Sequence, residues 1–225
     1  MRFRDRVEAG QRLAAVLNDL ILNDPNGNDP SLNGTVVVGM PRGGVPVAAQ
    51  VALAFDLPLD VVLVRKLGVP SHPELAMGAI GEDSIRFLDD QTIQALDITP
   101  DEIAAVERRE RKELERRVNA YRQGTQRVQL AGKAVWVIDD GIATGATARV
   151  ACRVVRAHGA ERVVLAVPIA PLGWDRNMRG EADAFVAVTE QNFRAVGELY
   201  DNFEATTDDE VVQCLLASSL RKRPR

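Results

Sequence analysis

The sequence predicts an α/β protein with a mostly parallel sheet flanked by helices. Three observations predict it. Apolar runs at 35–39 and 59–64 are separated by a turn and a helical stretch, which is the order of a βαβ unit. Further apolar runs at 134–139, 162–167 and 184–188 alternate with helical patterns. The runs near 39 and 139 each lead through a Gly-containing turn into a helix, as parallel strands do when a crossover follows.

In chain order, residues 4–22 read as an amphipathic helix with Val7, Leu13, Leu17, Leu20 and Ile21 on one face. Residues 23–34, rich in Asn, Asp, Pro and Gly, read as a loop. A strand at 35–39 runs into the tight turn Pro41-Arg42-Gly43-Gly44, and Pro46 opens a helix to Phe55. After the strand at 59–64, residues 65–82 are Gly- and Pro-rich, with little periodicity. Segments 78–80 and 85–88 are expected to pair around Glu82-Asp83. Thr99-Pro100-Asp101-Glu102 is a capping-box start for a helix to Tyr121, whose Arg and Glu side chains give it a solvated face.

The core resumes with a strand at 134–139, a helix at 146–158 and a strand at 162–167. A short helix within 171–180 and a strand at 184–188 follow. Residues 196–200 read as one more short strand, and Thr207 to Glu210 cap a last helix to Ser219. The expectation is a single domain over 1–225, with a core at about 35–201 and a small C-terminal hood.

Composition narrows the function. With 46% hydrophobic and 27% charged residues, the chain is an ordinary globular sequence. A net charge of −4 gives no general pull toward nucleic acid. The basic tail Arg221, Lys222, Arg223 and Arg225 reads as a solvated end. Cys152 and Cys214 with His72 and His158 lack zinc-ligand spacing. No apolar run approaches the ~20 residues of a membrane span, and Met1 to Gly10 lacks a leader pattern. A cytoplasmic protein with neither nucleic-acid nor membrane partner is expected.

The most informative stretch is Val135 to Thr147, in which a buried strand delivers Asp139 and Asp140 to a sheet edge. Neighbouring residues there point to opposite sides, and a buried carboxylate needs donors. The loop Gly141 to Gly145 then opens a helix whose free N–H groups suit a phosphate. Acids for hydroxyls beside a phosphate cradle point to a sugar phosphate. A Walker loop needs Lys before its Ser or Thr, where this chain has Gly145-Ala146, and a dinucleotide fingerprint needs three close glycines.

These residues resemble the signature of the type I phosphoribosyltransferase family, which implies phosphoribosyl pyrophosphate as ligand. The resemblance assigns Asp139 and Asp140 to the ribose hydroxyls and Ala143, Thr144, Gly145, Ala146 and Thr147 to the 5-phosphate. Gly141 departs from the family's aliphatic residue or Ser. Arg42, Gly43 and Gly44 look like the family's pyrophosphate loop, in an Arg-Gly-Gly form found in some purine members. Arg65 and Lys66 resemble the cationic start of its flexible catalytic loop, which would close as a lid; His72 in that loop reads as a surface residue.

The stretch Phe193 to Asp201 is similar to a late segment of hypoxanthine-guanine members. It implies Phe193 and Val196 at the acceptor base, with Trp174 as another aromatic, and Asp201 near a metal. Ala143 stands where those members carry an Asp base, as in orotate- and adenine-type loops. Asp139, Asp140, Lys66 and Arg42 are the implied catalytic set. The resemblance further implies Mg²⁺, a nucleobase as second substrate, a place in nucleotide salvage, and a homodimer as an option. The competing class is a regulator of the same fold that binds the ligand without turning it over.

Overall fold

The structure is a computed structural model that describes residues 1–22, 32 and 34–221, the Glu74 side chain excepted. Most of the loop expected over 23–34, and Lys222, Arg223 and Arg225 of the basic tail, lie outside the described residues.

Five strands form the expected parallel sheet: β1 (Val36–Gly39), β2 (Leu59–Val61), β6 (Ala134–Ile138), β7 (Arg162–Ala170) and β8 (Ala184–Glu190). Their order is β2-β1-β6-β7-β8, and every pair is parallel. Alternating side chains divide the core. Val37, Trp136 and Ile138 pack with α1 (Arg6–Leu22) and α2 (Gly44–Ala54) on one face. Val36, Val38, Val135 and Val137 pack with α5 (Ala146–Ala157) on the other. A sheet buried on both faces explains the continuous apolar runs. At ~25 cal/mol per Å², each fully buried Val or Ile contributes roughly 1.5–3 kcal/mol, and the strands are held by these side chains.

Residues 65–82 are not an irregular loop. β3 (Val64–Val69) and β4 (His72–Gly81) form a hairpin, and β5 (Arg86–Leu88) adds the expected third strand, Ala79 pairing with Phe87. The glycines that suggest a loop allow close crossing: a Cβ on Gly68 would lie 2.4 Å from the Pro73 carbonyl oxygen, and one on Gly78 would lie 2.4 Å from that of Phe87. The run 59–64 divides where the chain leaves one sheet for the other, so Val64 begins β3. Two helices follow, α3 (Asp90–Ala95), which the sequence pattern does not predict, and α4 (Pro100–Tyr121). α4 carries its capping box, with the Thr99 N–H donating to Glu102 Oε2 at 2.9 Å.

Short α6 (Trp174–Asn177) and α7 (Asp208–Arg221) complete the helices. Residues 196–199 form a 3-10 turn rather than a strand. The extended segment at Tyr200 pairs instead with Phe3, with N–H donors from Phe3 to Leu199 and from Asp201 to Phe3. The hood is therefore built from both ends of the described chain.

Candidate active site

β1 is the switch point of the sheet: the chain runs out from β1 to β2 and later returns on the other side as β6. Ligands of open α/β sheets bind where the carboxyl ends of such strands diverge. Gly39 and Ile138 are paired, so the turns leaving β1 and β6 start side by side. The Met40 N–H donates to the Ile138 carbonyl at 2.8 Å and extends that pairing into the turn. α2 and α5, on opposite faces, both begin at this edge.

The turn at 41–44 fits against the acidic pair with no room to spare. A Cβ on Gly43 would fall 1.9 Å from Asp140 Oδ2, and one on Gly44 would fall 2.6 Å from the Ile138 oxygen and 2.8 Å from Asp139 Cα. Glycine is the only residue that permits this approach. The Pro41–Arg42 peptide is cis. Arg42 is exposed and lies within electrostatic reach of Asp208 and Tyr121, so its charge borders the ends of α4 and α7.

Asp139 Oδ1 accepts the Asp140 N–H at 2.9 Å. Asp140 Oδ2 accepts from Arg6 Nε at 2.8 Å, and its backbone oxygen accepts the Tyr200 hydroxyl at 2.7 Å. Burial pushes the Asp139 carboxyl well above the usual carboxylate range, and the charge of Asp140 adds to the push. Burial raises Asp140 as well, and the Arg6 cation works against it. Two adjoining acids with one cation bonded to Asp140 are under-compensated, which is a frequent property of binding and catalytic sites.

The loop 141–145 lies next to them. Ile142 is buried, and its N–H donates to the Ile169 oxygen at 2.9 Å, anchoring the loop to β7. Ala143, Thr144 and Thr147 are exposed. Gly145 has φ +77°, a left-handed conformation suited to glycine, and a Cβ there would meet Met178 Sδ at 2.8 Å. The first intrahelical donor of α5 is the Arg149 N–H, bonded to the Gly145 oxygen at 2.9 Å; ahead of it, the Ala146 N–H donates to Thr144 Oγ1 at 3.5 Å.

Strand alternation separates the two lid cations. Arg65 donates to Glu110 of α4 through Nε at 2.9 Å and Nη2 at 2.5 Å. Burial opposes ionisation of Glu110, but bonds from Arg65 and Arg109 bring its carboxyl below the usual range. Arg65 is thus bound to the outer helix in this structure. Lys66 stands opposite Ala79. Ala79 and Ala146 line one cavity of about 680 Å³ between the hairpin and α5, and Lys66 lies one strand away from it on β3.

The acceptor residues fare less well. Trp174 is 3% exposed and packs edge-on against Phe185, so its ring belongs to the core. Phe193 packs on the cluster of Phe3, Ala9, Ile169 and Tyr200. Asp201 pairs with Arg2 at 3.3 Å. Val196 does adjoin the site: a Cβ on Gly141 would meet its Cγ1 at 2.5 Å, which accounts for glycine at the position departing from the family. His72 is exposed beside Ser71 at the hairpin tip. Sequence reasoning missed Arg6 and Tyr200, whose links to Asp140 span 134 and 60 residues and leave no local signal.

This edge, with paired acids between two glycine turns that each start a helix, defines an open α/β protein with its candidate site at the switch point of the sheet. The chain belongs to the phosphoribosyl transferase domain family, whose sequence model matches residues 4–203. It is 49% identical over 214 residues to a Mycobacterium tuberculosis (strain H37Rv) protein named "Putative phosphoribosyl transferase Rv0571c". That match covers 95% of this chain and 46% of the relative, so the chain spans about half the length of that protein. An adenine phosphoribosyltransferase of Kineococcus radiotolerans is 46% identical over 66 residues, covering 26% of this chain and 36% of that one. Among solved structures, TT1426 from Thermus thermophilus is similar with a TM-score of 0.81 and 38% identity, covering 96% of this chain and 99% of that one. Among the described residues, no helix is long and apolar enough to cross a membrane.

Proposed function

We propose that this chain binds phosphoribosyl pyrophosphate with Mg²⁺ and transfers the phosphoribosyl group to a nitrogen of a nucleobase, releasing pyrophosphate. One observation carries the reading: the Arg42-Gly43-Gly44 turn lies directly against Asp139 and Asp140 at the switch point. Asp139 and Asp140 accept the ribose hydroxyls. Amides and hydroxyls of 143–147 hold the 5-phosphate at the start of α5. Arg42 and the amides of Gly43 and Gly44 receive the pyrophosphate, and Lys66 closes on it from the hairpin.

Among the described residues, no group of three or more His, Cys, Asp or Glu is placed to hold a metal ion, and Asp201 pairs with Arg2. Such a donor set suits Mg²⁺ that arrives on the pyrophosphate as part of the substrate, with most of its waters retained. The C1–oxygen bond breaks, and its electron pair leaves on pyrophosphate. The acceptor nitrogen bonds C1 from the opposite face and then loses its proton. Ionised acids near the pentose favour the positive charge that develops on the ring. Ala143 offers no proton acceptor beside the base, so that proton passes to solvent.

Pyrophosphate release, measured over a panel of purine and pyrimidine bases with Mg²⁺ and phosphoribosyl pyrophosphate, tests this reading. Release dependent on one base class is the expected result. Saturable binding without release for any base would overturn it in favour of a ligand sensor.

A further inference from the structure

Arg6 begins the N-terminal helix, outside the motifs that carry the family resemblance, yet its side chain is only 13% exposed. Its Nε donates to Asp140 Oδ2 at 2.8 Å, and its Nη1 donates to the Glu204 carbonyl at 2.7 Å. Its Cζ lies 4.0 Å from the centre of the Phe203 ring, which stacks on Tyr200 at 4.9 Å. A Cβ on Gly43 would approach Arg6 Nε to 3.0 Å. One guanidinium therefore touches the end of β6, abuts the turn after β1 and ties both to the 203–204 segment. Surface ion pairs hold long side chains loosely, whereas this one is fixed by a carboxylate, a carbonyl and an aromatic face.

We propose that Arg6 is a positioning residue for sugar-diol recognition, holding the Asp140 carboxylate in one orientation and in its charged form beside Asp139. The inference rests on the reading of the two acids as the ribose-diol site. Two adjoining acids shielded from water do not both ionise without a cation. A neutral carboxyl accepts from a hydroxyl more weakly than a carboxylate does. The charged and titratable groups facing Arg6 are Asp139 and Asp140 after β6, Tyr200 in the hood and Glu210 on α7. Arg6 opposes the upward push of burial on both aspartates. Without it, the pair takes up a proton closer to neutral pH, and the diol loses a charged acceptor.

The test measures calorimetric affinities for ribose 5-phosphate and 2-deoxyribose 5-phosphate from about pH 6 to 9, a window above the ordinary carboxylate range. Wild type, Arg6→Gln and Arg6→Lys are compared. Wild type prefers the ribose compound. Arg6→Gln is expected to reduce that preference about tenfold at neutral pH, the equivalent of one pKa unit, and to regain it as the pH rises. Arg6→Lys keeps most of the preference, and unchanged affinity for the deoxy compound in all three shows that the phosphate cradle is intact. A preference in Arg6→Gln equal to wild type, or reduced equally at every pH, would overturn the role of Arg6. A wild type that does not distinguish the two sugars would overturn the diol reading itself, and this inference with it.

Discussion

The carboxyl edge of the parallel sheet and the base of the hairpin both gather acids, and they treat them in opposite ways. At the hairpin base, Arg122 binds Asp60 and Glu82, Arg127 binds Asp83, and Arg65 binds Glu110. The Val128 N–H adds a bond to Asp60 at 2.8 Å. At the sheet edge, among the described residues, Arg6 pairs with Asp140, and Asp139 feels that cation without a bond to it. Matched charge locks the hairpin and α4 onto the core. Unmatched charge at the edge is retained at a cost in stability, which is how a site built for a ligand differs from one built for the fold. Glu82 shows how close the balance is even at the hairpin: burial still outweighs its two arginines and raises its carboxyl.

Breaking each region separates the two roles. The largest effect is expected from Asp139→Asn combined with Asp140→Asn. Turnover, read as pyrophosphate release, falls by about two orders of magnitude or more, the scale seen when a charged transition-state contact is lost. The fold survives, checked by circular dichroism. Unchanged turnover would remove the acids from the chemistry.

Arg122→Met does the reverse. It strands Asp60 and Glu82, and breaking a buried ion pair from one side costs about 3–5 kcal/mol. Chemical denaturation should show that loss, with ligand affinity of the remaining folded protein nearly unchanged. Gly44→Ala tests the close approach of the turn to β6. Its Cβ collides with backbone at Ile138 and Asp139, so a shift costing roughly 1–3 kcal/mol is expected, together with weaker pyrophosphate binding.

The smallest effect carries a sign. Asp139 titrates above its unfolded value, so the folded state holds the proton over that interval. This contribution is fully present below the unfolded value of about 4 and is lost as pH rises through the folded value. Asp139→Asn keeps the acceptor for the Asp140 N–H and removes the charge. At neutral pH it should melt a few degrees higher than wild type, about 2–4 °C per kcal/mol for a chain of this size, with the gap closing toward pH 4. A lower melting temperature would show that the edge is not under-compensated.

The sequence makes the strands and the two glycine turns legible because their signals are local. Apolar runs such as 134–138 bury both faces, and Gly43, Gly44 and Gly145 stand where a side chain has no room. Asp139 and Asp140 are adjacent, so their placement follows from one strand end. The hairpin over 64–81 is not legible, since Gly68 and Gly78 serve strand crossing while imitating loop composition. Arg65 and Lys66 share a motif, and only the strand's alternation shows that Arg65 belongs to α4. Arg6 meets Asp140 across 134 residues, and no pattern near either residue announces it. The acceptor side is least legible: Trp174 and Phe193 have the right chemistry for a base, yet Trp174 is packed in the core and Phe193, half-buried, rests on the cluster of Phe3 and Tyr200.

The most direct measurement is a structure of the protein soaked with Mg²⁺ and phosphoribosyl pyrophosphate. The predicted result is a pentose whose hydroxyls lie within hydrogen-bond distance of Asp139 and Asp140, with the 5-phosphate on residues 143–147 and the pyrophosphate on 42–44. A ligand bound away from that edge, or bound there with its diol turned from both acids, would contradict the account.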